Sequence, residues 1–253
     1  MLRFFALLML IAFPLNAGEE IVADLSQNRV GISATFDGSH ILVFGAVSRD
    51  APAPDSGPMQ VVVSVSGPRE AVTIRRKDKR AGIIWVNSAS ALIDEAPSFY
   101  SVATTVPLGQ ALSEAEDAKH KVSIPRAINS IGTQIATGQA AEFTDALIRI
   151  RSGNGLYQVH EGAVEFMSET LFRTEIDLPS NLTAGEYTAR ILITRDQQVV
   201  DVFKTKLDIH KVGIERWLYN LAHENAIYYG LMSLIIAIVA GWMASAVFSY
   251  FRA

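Results

Sequence analysis

The sequence predicts a mainly β protein, an antiparallel sandwich or pair of sandwiches with a helical insertion, followed by one C-terminal transmembrane helix. Three observations carry this expectation. Short runs rich in Val, Ile, Phe and Thr alternate with turn residues over most of the chain. A central stretch, residues 109–152, changes to helical composition. From Asn225 to Phe251 there is no charged residue, and about 25 residues at 1.5 Å each exceed the ~30 Å hydrocarbon thickness of a bilayer.

The chain opens with Met1-Leu2-Arg3, an apolar run from Phe4 to Phe13, and Pro14-Leu15-Asn16-Ala17. One positive charge, a short apolar stretch and small residues at a cut site predict a signal peptide over residues 1–17, removed after Ala17. Residues 18–108 then read as a periplasmic β-sandwich region. Ile32 to Phe36 and His40 to Phe44 flank Asp37-Gly38, a pair able to adopt positive φ, which predicts a hairpin. Ala51 to Pro58 is a Pro-rich loop, Gln60 to Val65 a strand, and Gly67-Pro68 a turn. A second hairpin is expected between Ala71–Arg76 and Ile83–Val86, turning at Lys77-Asp78-Lys79, and Phe99 to Thr104 is a further strand. Trp85, Phe99 and Tyr100 are expected in the core, because aromatic residues on alternating strands fill sandwich interiors.

In the helical segment, Ala111 to Ala118 favours one helix and Pro125 interrupts. Phe143, Leu147 and Ile150, at i, i+4 and i+7, mark the buried face of a second helix, which Gly153 and Asn154 stop. Residues 153–212 return to β character. Phe172, Thr174, Ile176 and Leu178 alternate with Arg173, Glu175 and Asp177, so one face is buried and one is wet. Tyr187, Ala189, Ile191 and Ile193 follow the same rule, and Asp196-Gln197-Gln198 turns the chain into Val199 to Ile209. The entry Gly185-Glu186-Tyr187 is similar to the tyrosine corner of immunoglobulin-like sandwiches, so a sandwich of that type is expected. The pattern leaves open whether the two β regions form one sandwich or two.

Residues 213–225 predict an interfacial amphipathic helix, with Ile214, Trp217, Leu218 and Leu221 at i, i+3, i+4 and i+7. Residues 226–250 follow as the membrane span. Tyr228 and Tyr229 at its start and Trp242, Tyr250 and Phe251 toward its end match the aromatic belts of the two interfaces. Residues 251–253, with Arg252, form a cytoplasmic tail consistent with the positive-inside tendency. Within the span Ser233, Ala237, Gly241, Ser245 and Ser249 recur every fourth residue, a small-residue ridge for close approach of another helix in a homo-oligomer or a multispan partner.

Chemistry-bearing patterns are sparse. The net charge is −4 and neither half is strongly basic, which argues against a nucleic-acid partner. Cysteine is absent, which excludes disulfides, thiolate metal sites and cysteine nucleophiles. The five histidines, His40, His120, His160, His210 and His223, show no recognisable metal-ligand spacing. His160 and Glu161 are neighbours on a strand and point to opposite faces. No nucleophile elbow or phosphate loop occurs, and Ser152-Gly153-Asn154-Gly155 lacks the lysine of the latter. No catalytic, cofactor-binding or metal residues are therefore expected. Arg75, Arg76, Lys77, Lys79 and Arg80 form one basic cluster, a solvated turn or a contact for anionic headgroups or an acidic partner.

Two blocks are familiar: Arg75-Arg76-Lys77 with Gly82 to Asn87 and Pro97-Ser98-Phe99-Tyr100, then Gly213-Ile214-Glu215, Ala222-His223, Tyr229-Gly230 and Ala240-Gly241-Trp242. Through them the chain resembles an alphaproteobacterial family of transmembrane proteins, from about Glu19 to the C-terminus. Neither block is a catalytic motif. The resemblance implies an inner-membrane location, a single anchor and, from the family's context, a partner such as a sulfite-exporter-type permease. The function expected is a non-catalytic, membrane-anchored periplasmic accessory or assembly protein. The alternative is a periplasmic solute- or metal-binding module.

Overall fold

The computed structural model describes residues 19–33, 36–49, 57–80, 83–128 and 139–252. The predicted signal peptide lies outside them. The first half of the body contains β1 (Glu19–Leu25), β2 (Arg29–Ile32), β3 (Ser39–Arg49), β4 (Gln60–Ser66), β5 (Arg69–Arg80), β6 (Ile84–Pro97) and β7 (Tyr100–Thr104). Helices α1 (Leu108–Ala111), α2 (Glu114–His120), α3 (Ile124–Ala127) and α4 (Gln139–Gly153) follow. The second half adds β8 (Tyr157–Glu161), β9 (Glu165–Phe166), β10 (Leu171–Leu178), β11 (Gly185–Arg195) and β12 (Gln198–Lys211), then α5 (Ile214–Glu224) and α6 (Ala226–Arg252).

Four strands pair in the order β1-β3-β10-β9, six in the order β2-β12-β11-β4-β7-β8, and β5 with β6 makes a two-stranded hairpin. Both β regions contribute to each large sheet, so they build one sandwich. The smaller sheet obeys the alternation rule, with Phe172, Thr174, Ile176 and Leu178 buried and the residues between them exposed. Its inner face packs Val43, Phe172 and Ile176 in one core with Val61, Val63, Ile191 and Ile193 of the larger sheet.

The larger sheet is covered on its other side too. Val62, Val102 and Leu192 belong to a second core with Ile93 of β6, Leu112, Val122 and, from α4, Phe143 and Leu147. Val61 through Val65 are all buried, which explains why β4 reads as an unbroken apolar run rather than an alternation. Hairpin and helices thus form a third layer. Polar groups pin it. Tyr100 donates its hydroxyl to the Val122 carbonyl at 2.7 Å, and Arg190 donates to the His120 carbonyl at 2.8 Å. Arg151, near the end of α4, donates to the Pro97 carbonyl and pairs with Glu70, both at 2.7 Å.

Several sequence expectations are corrected. Asp37-Gly38 does not close a hairpin: β2 lies parallel to β12 in the larger sheet, whereas β3 sits between β1 and β10 in the smaller. Gly38 has φ of 124°, so the positive-φ signal is real but serves a crossing between layers. The β7–β8 pair is also parallel, so the sandwich is not purely antiparallel. Its connection runs through α1–α4, long enough for such a crossover. The second hairpin stays paired through Lys77, Asp78 and Lys79, and the chain reverses between Arg80 and Ile83. Charged residues there sit on a solvated ribbon, whose composition resembles that of a turn. Phe99 and Tyr100 are buried, but Trp85 is 62% exposed because it lies near that tip, beyond either core. Ile150 is exposed as well, although Phe143 and Leu147 are buried; it lines a groove between α4 and β5 that stays open among the described residues. The single helix expected at Ala111–Ala118 is two, because Ser113 caps α2 by accepting from the Glu116 amide at 3.3 Å.

Candidate functional site

The membrane-facing end is built from β12, α5 and α6. The Asn225 amide donates to the Leu221 carbonyl at 3.2 Å, and its own carbonyl accepts from the Tyr229 amide at 3.1 Å, so this residue ends one helix and starts the next. Its φ of −134° and ψ of 53° put the break between them. The α6 helix has 27 residues, about 40 Å at 1.5 Å each. Its segment Ala226–Ser245 has mean hydropathy 1.9, and none of its most apolar window is buried by the rest of the chain. Ile227, Leu234, Ile236 and Trp242 stand exposed on it. In water such a surface is unfavourable by about 25 cal/mol per Å². Immersion in lipid removes that cost, and a helix tolerates immersion because its backbone groups are satisfied within the segment.

The small-residue ridge lies along this helix. Ser233, Ala237, Gly241 and Ser245 are all exposed; the side chain of Ser249 is outside the described set. Ser233 returns its hydroxyl to the Tyr229 carbonyl at 2.9 Å, which leaves its outer face lean. Steps of four residues rotate about 40° around an α-helix, so one straight neighbour meets about three consecutive ridge positions. Gly241 is central, and a methyl group added there would meet nothing within 4 Å.

On α5, Trp217 and Tyr219 are exposed while Leu218 and Leu221 are half-buried. Tyr219 stacks on His223 at 4.0 Å between ring centroids. A cavity of about 520 Å³ opens between Tyr219 and the ends of β11 and β12, lined by Gly185, Ile209 and His210 among others.

The basic cluster lies along β5, and Arg75, Arg76, Lys77, Lys79 and Arg80 are all exposed. Arg76 reaches Glu142 on α4 at 3.5 Å and Asp78 at 3.6 Å. The ammonium of Lys79 sits 5.2 Å from the Trp85 ring centroid.

The histidines do not converge. Among the described residues no three His, Asp or Glu side chains approach one another as a metal cluster. His160 contacts Gln158 at 3.0 Å on its own face of β8, while Glu161 accepts from the Leu108 amide at 3.0 Å on the other. Two histidines do meet carboxylates that sequence reading passed over, His120 with Glu116 and His210 with Asp208, each at 3.3 Å. Their spacings of four on a helix and two on a strand were the available signal.

A buried charge cluster joins residues that no local pattern in the sequence links. Glu19 accepts two bonds from Arg195 at 2.8 Å and contacts Arg49 at 2.8 Å. Arg195 also donates to the Gly57 carbonyl at 2.7 Å. The guanidinium of Arg195 holds the Glu19 carboxyl below its usual range, outweighing the burial that pushes it up. Glu19 and Arg49 belong to the smaller sheet and Arg195 to the larger, so the cluster clamps the layers together.

A family described as "Putative transmembrane protein (Alph_Pro_TM)" matches residues 20–250. The chain belongs to this family. The match spans sandwich, α5 and nearly all of α6, so membership rests on body and helix together, and the membrane assignment of α6 rests on the family as well as on length and apolarity. No curated protein and no solved structure matches the chain.

Proposed function

We propose that this chain is a non-catalytic accessory or assembly protein that presents a periplasmic sandwich beside a membrane partner, held in the cytoplasmic membrane by α6 with its C-terminus in the cytoplasm. One observation carries the reading: none of the most apolar window of α6 is buried by the rest of the chain, and a ridge of small side chains runs along it. Small residues let two helix backbones approach closely in lipid, where packing rather than hydrophobicity drives association. A multispan permease of the sulfite-exporter type, or a second copy of the chain, fits that ridge. The short α5 and its single-residue break leave little slack, so the sandwich stays close to whatever α6 binds.

Crosslinking in native membranes, followed by identification of the co-purified protein, tests this. Gly241→Leu places a branched side chain at the centre of the ridge and is expected to reduce recovery of the partner several-fold at unchanged membrane insertion. Equal recovery with the variant would rule the ridge out as the contact.

A further inference from the structure

The tip of the β5–β6 hairpin combines two properties that neither the sandwich nor the anchor needs. Five basic residues lie in the second half of β5 with Asp78 as the acid among them, in a chain whose net charge is −4. Directly across the reversal stand Ile83, Ile84 and Trp85, which are 83%, 64% and 62% exposed. Apolar side chains so exposed at a projecting end are unfavourable in water.

Topology starts the β5–β6 ribbon at the anchor end of the body. β11 is antiparallel to both β12 and β4, so β4 and β12 run in the same direction and leave the larger sheet at the same end. β12 continues into α5 and the membrane helix, and β4 continues into β5. The ribbon stays paired across that junction, with the Gly67 amide donating to the Phe99 carbonyl and the Ser98 amide to the Pro68 carbonyl, both at 2.8 Å. The 12 residues of β5 span about 40 Å when extended.

We propose that this tip is a second membrane contact, docking on the anionic phospholipid headgroups of the bilayer that holds α6. Aromatic and branched apolar side chains settle at the headgroup–acyl boundary, and flanking Lys and Arg meet the phosphates. The Lys79–Trp85 pair already has this form, with its cation over the ring. Arg75, Arg76 and Lys77 also line the groove between α4 and β5, but Glu142 and Asp145 line it with them, and an acidic peptide seated there would leave Ile83, Ile84 and Trp85 uncovered. Two attachments fix the azimuth of the sandwich over the membrane, which a lone helix does not. The proposal needs the anchor but not the accessory reading, and its test contains no partner protein.

Because the chain has no cysteine, one introduced thiol is unique. The full-length Ile83→Cys variant, labelled with a polarity-sensitive fluorophore, is reconstituted in nanodiscs of phosphatidylcholine alone or in an equal mixture with phosphatidylglycerol. Val200→Cys, exposed at the opposite end of the sheet, serves as the aqueous control. The expected result is a blue shift and a several-fold loss of acrylamide quenching at position 83 in the anionic discs only, reversed by Lys77→Glu, Lys79→Glu and Arg80→Glu together, with position 200 unaffected. Full quenching in both discs overturns the proposal. So does equal protection in both. Circular dichroism of each variant checks that the body remains folded.

Discussion

Glu19→Ala probes the clamp between the two large sheets. The Glu19 side chain is 3% exposed, with Arg195 and Arg49 at 8% and 17%. It accepts a bidentate pair from Arg195 at 2.8 Å and meets Arg49 at the same distance. Removing it leaves cationic groups in a site that excludes water. Breaking a buried ion pair from one side costs about 3–5 kcal/mol. For a folded body of this size each kcal/mol moves the midpoint by about 2–4 °C, so a fall of roughly 6–20 °C is expected at pH 7. The pH dependence has a definite sign. Since the Glu19 carboxyl is held below its ordinary value, its contribution is complete above the unfolded carboxyl pKa of about 4.3 and is lost as pH falls through the lower folded value. Thermal unfolding of the detergent-solubilised full chain, followed by circular dichroism from neutral pH into this acid range, measures both effects. Glu19→Gln should retain shape while losing this carboxyl's share of the acid sensitivity. A midpoint shift under about 2 °C for Glu19→Ala would place the cluster with surface ion pairs worth at most 1 kcal/mol and refute the clamp.

Trp85→Ala should change stability by less than about 0.5 kcal/mol, whereas Phe99→Ala, at a fully buried ring, should cost about 3–5 kcal/mol in the same scans. A fluorescent reporter fused after Ala253 should mature in the cytoplasm and alkaline phosphatase at that position should be inactive; the opposite pair of results would invert the proposed orientation.

The elements most legible in the sequence were those whose burial has one simple period. β10 alternates between core and water, so its face could be read residue by residue. The uncharged run of α6 meets no opposing layer, so composition alone identified it. β4 was legible as a strand but not as a central one, since Val61–Val65 carry the same composition whether one or two layers cover them. Trp85 shows the reverse failure. An aromatic on a strand normally fills a core, yet the β5–β6 ribbon extends beyond the layers, and nothing local in the sequence reports where a ribbon outruns its cover.

Pairings between distant segments explain the rest. Glu19 and Arg195 are 176 residues apart, and each alone reads as an ordinary charged residue at a strand end. The parallel contact of β2 with β12 likewise joins the start of the body to its last strand, so the segment leading into α5 is held near the N-terminal strands. That closure bears on function. The Ile21 amide of β1 donates to Asp201 on β12 at 2.9 Å, and β2 runs beside the final residues of β12. A load placed on α6 therefore enters both large sheets through one strand, and the interlayer contacts resist it. The Glu19 clamp and the Ile21–Asp201 hydrogen bond are the contacts placed to do so.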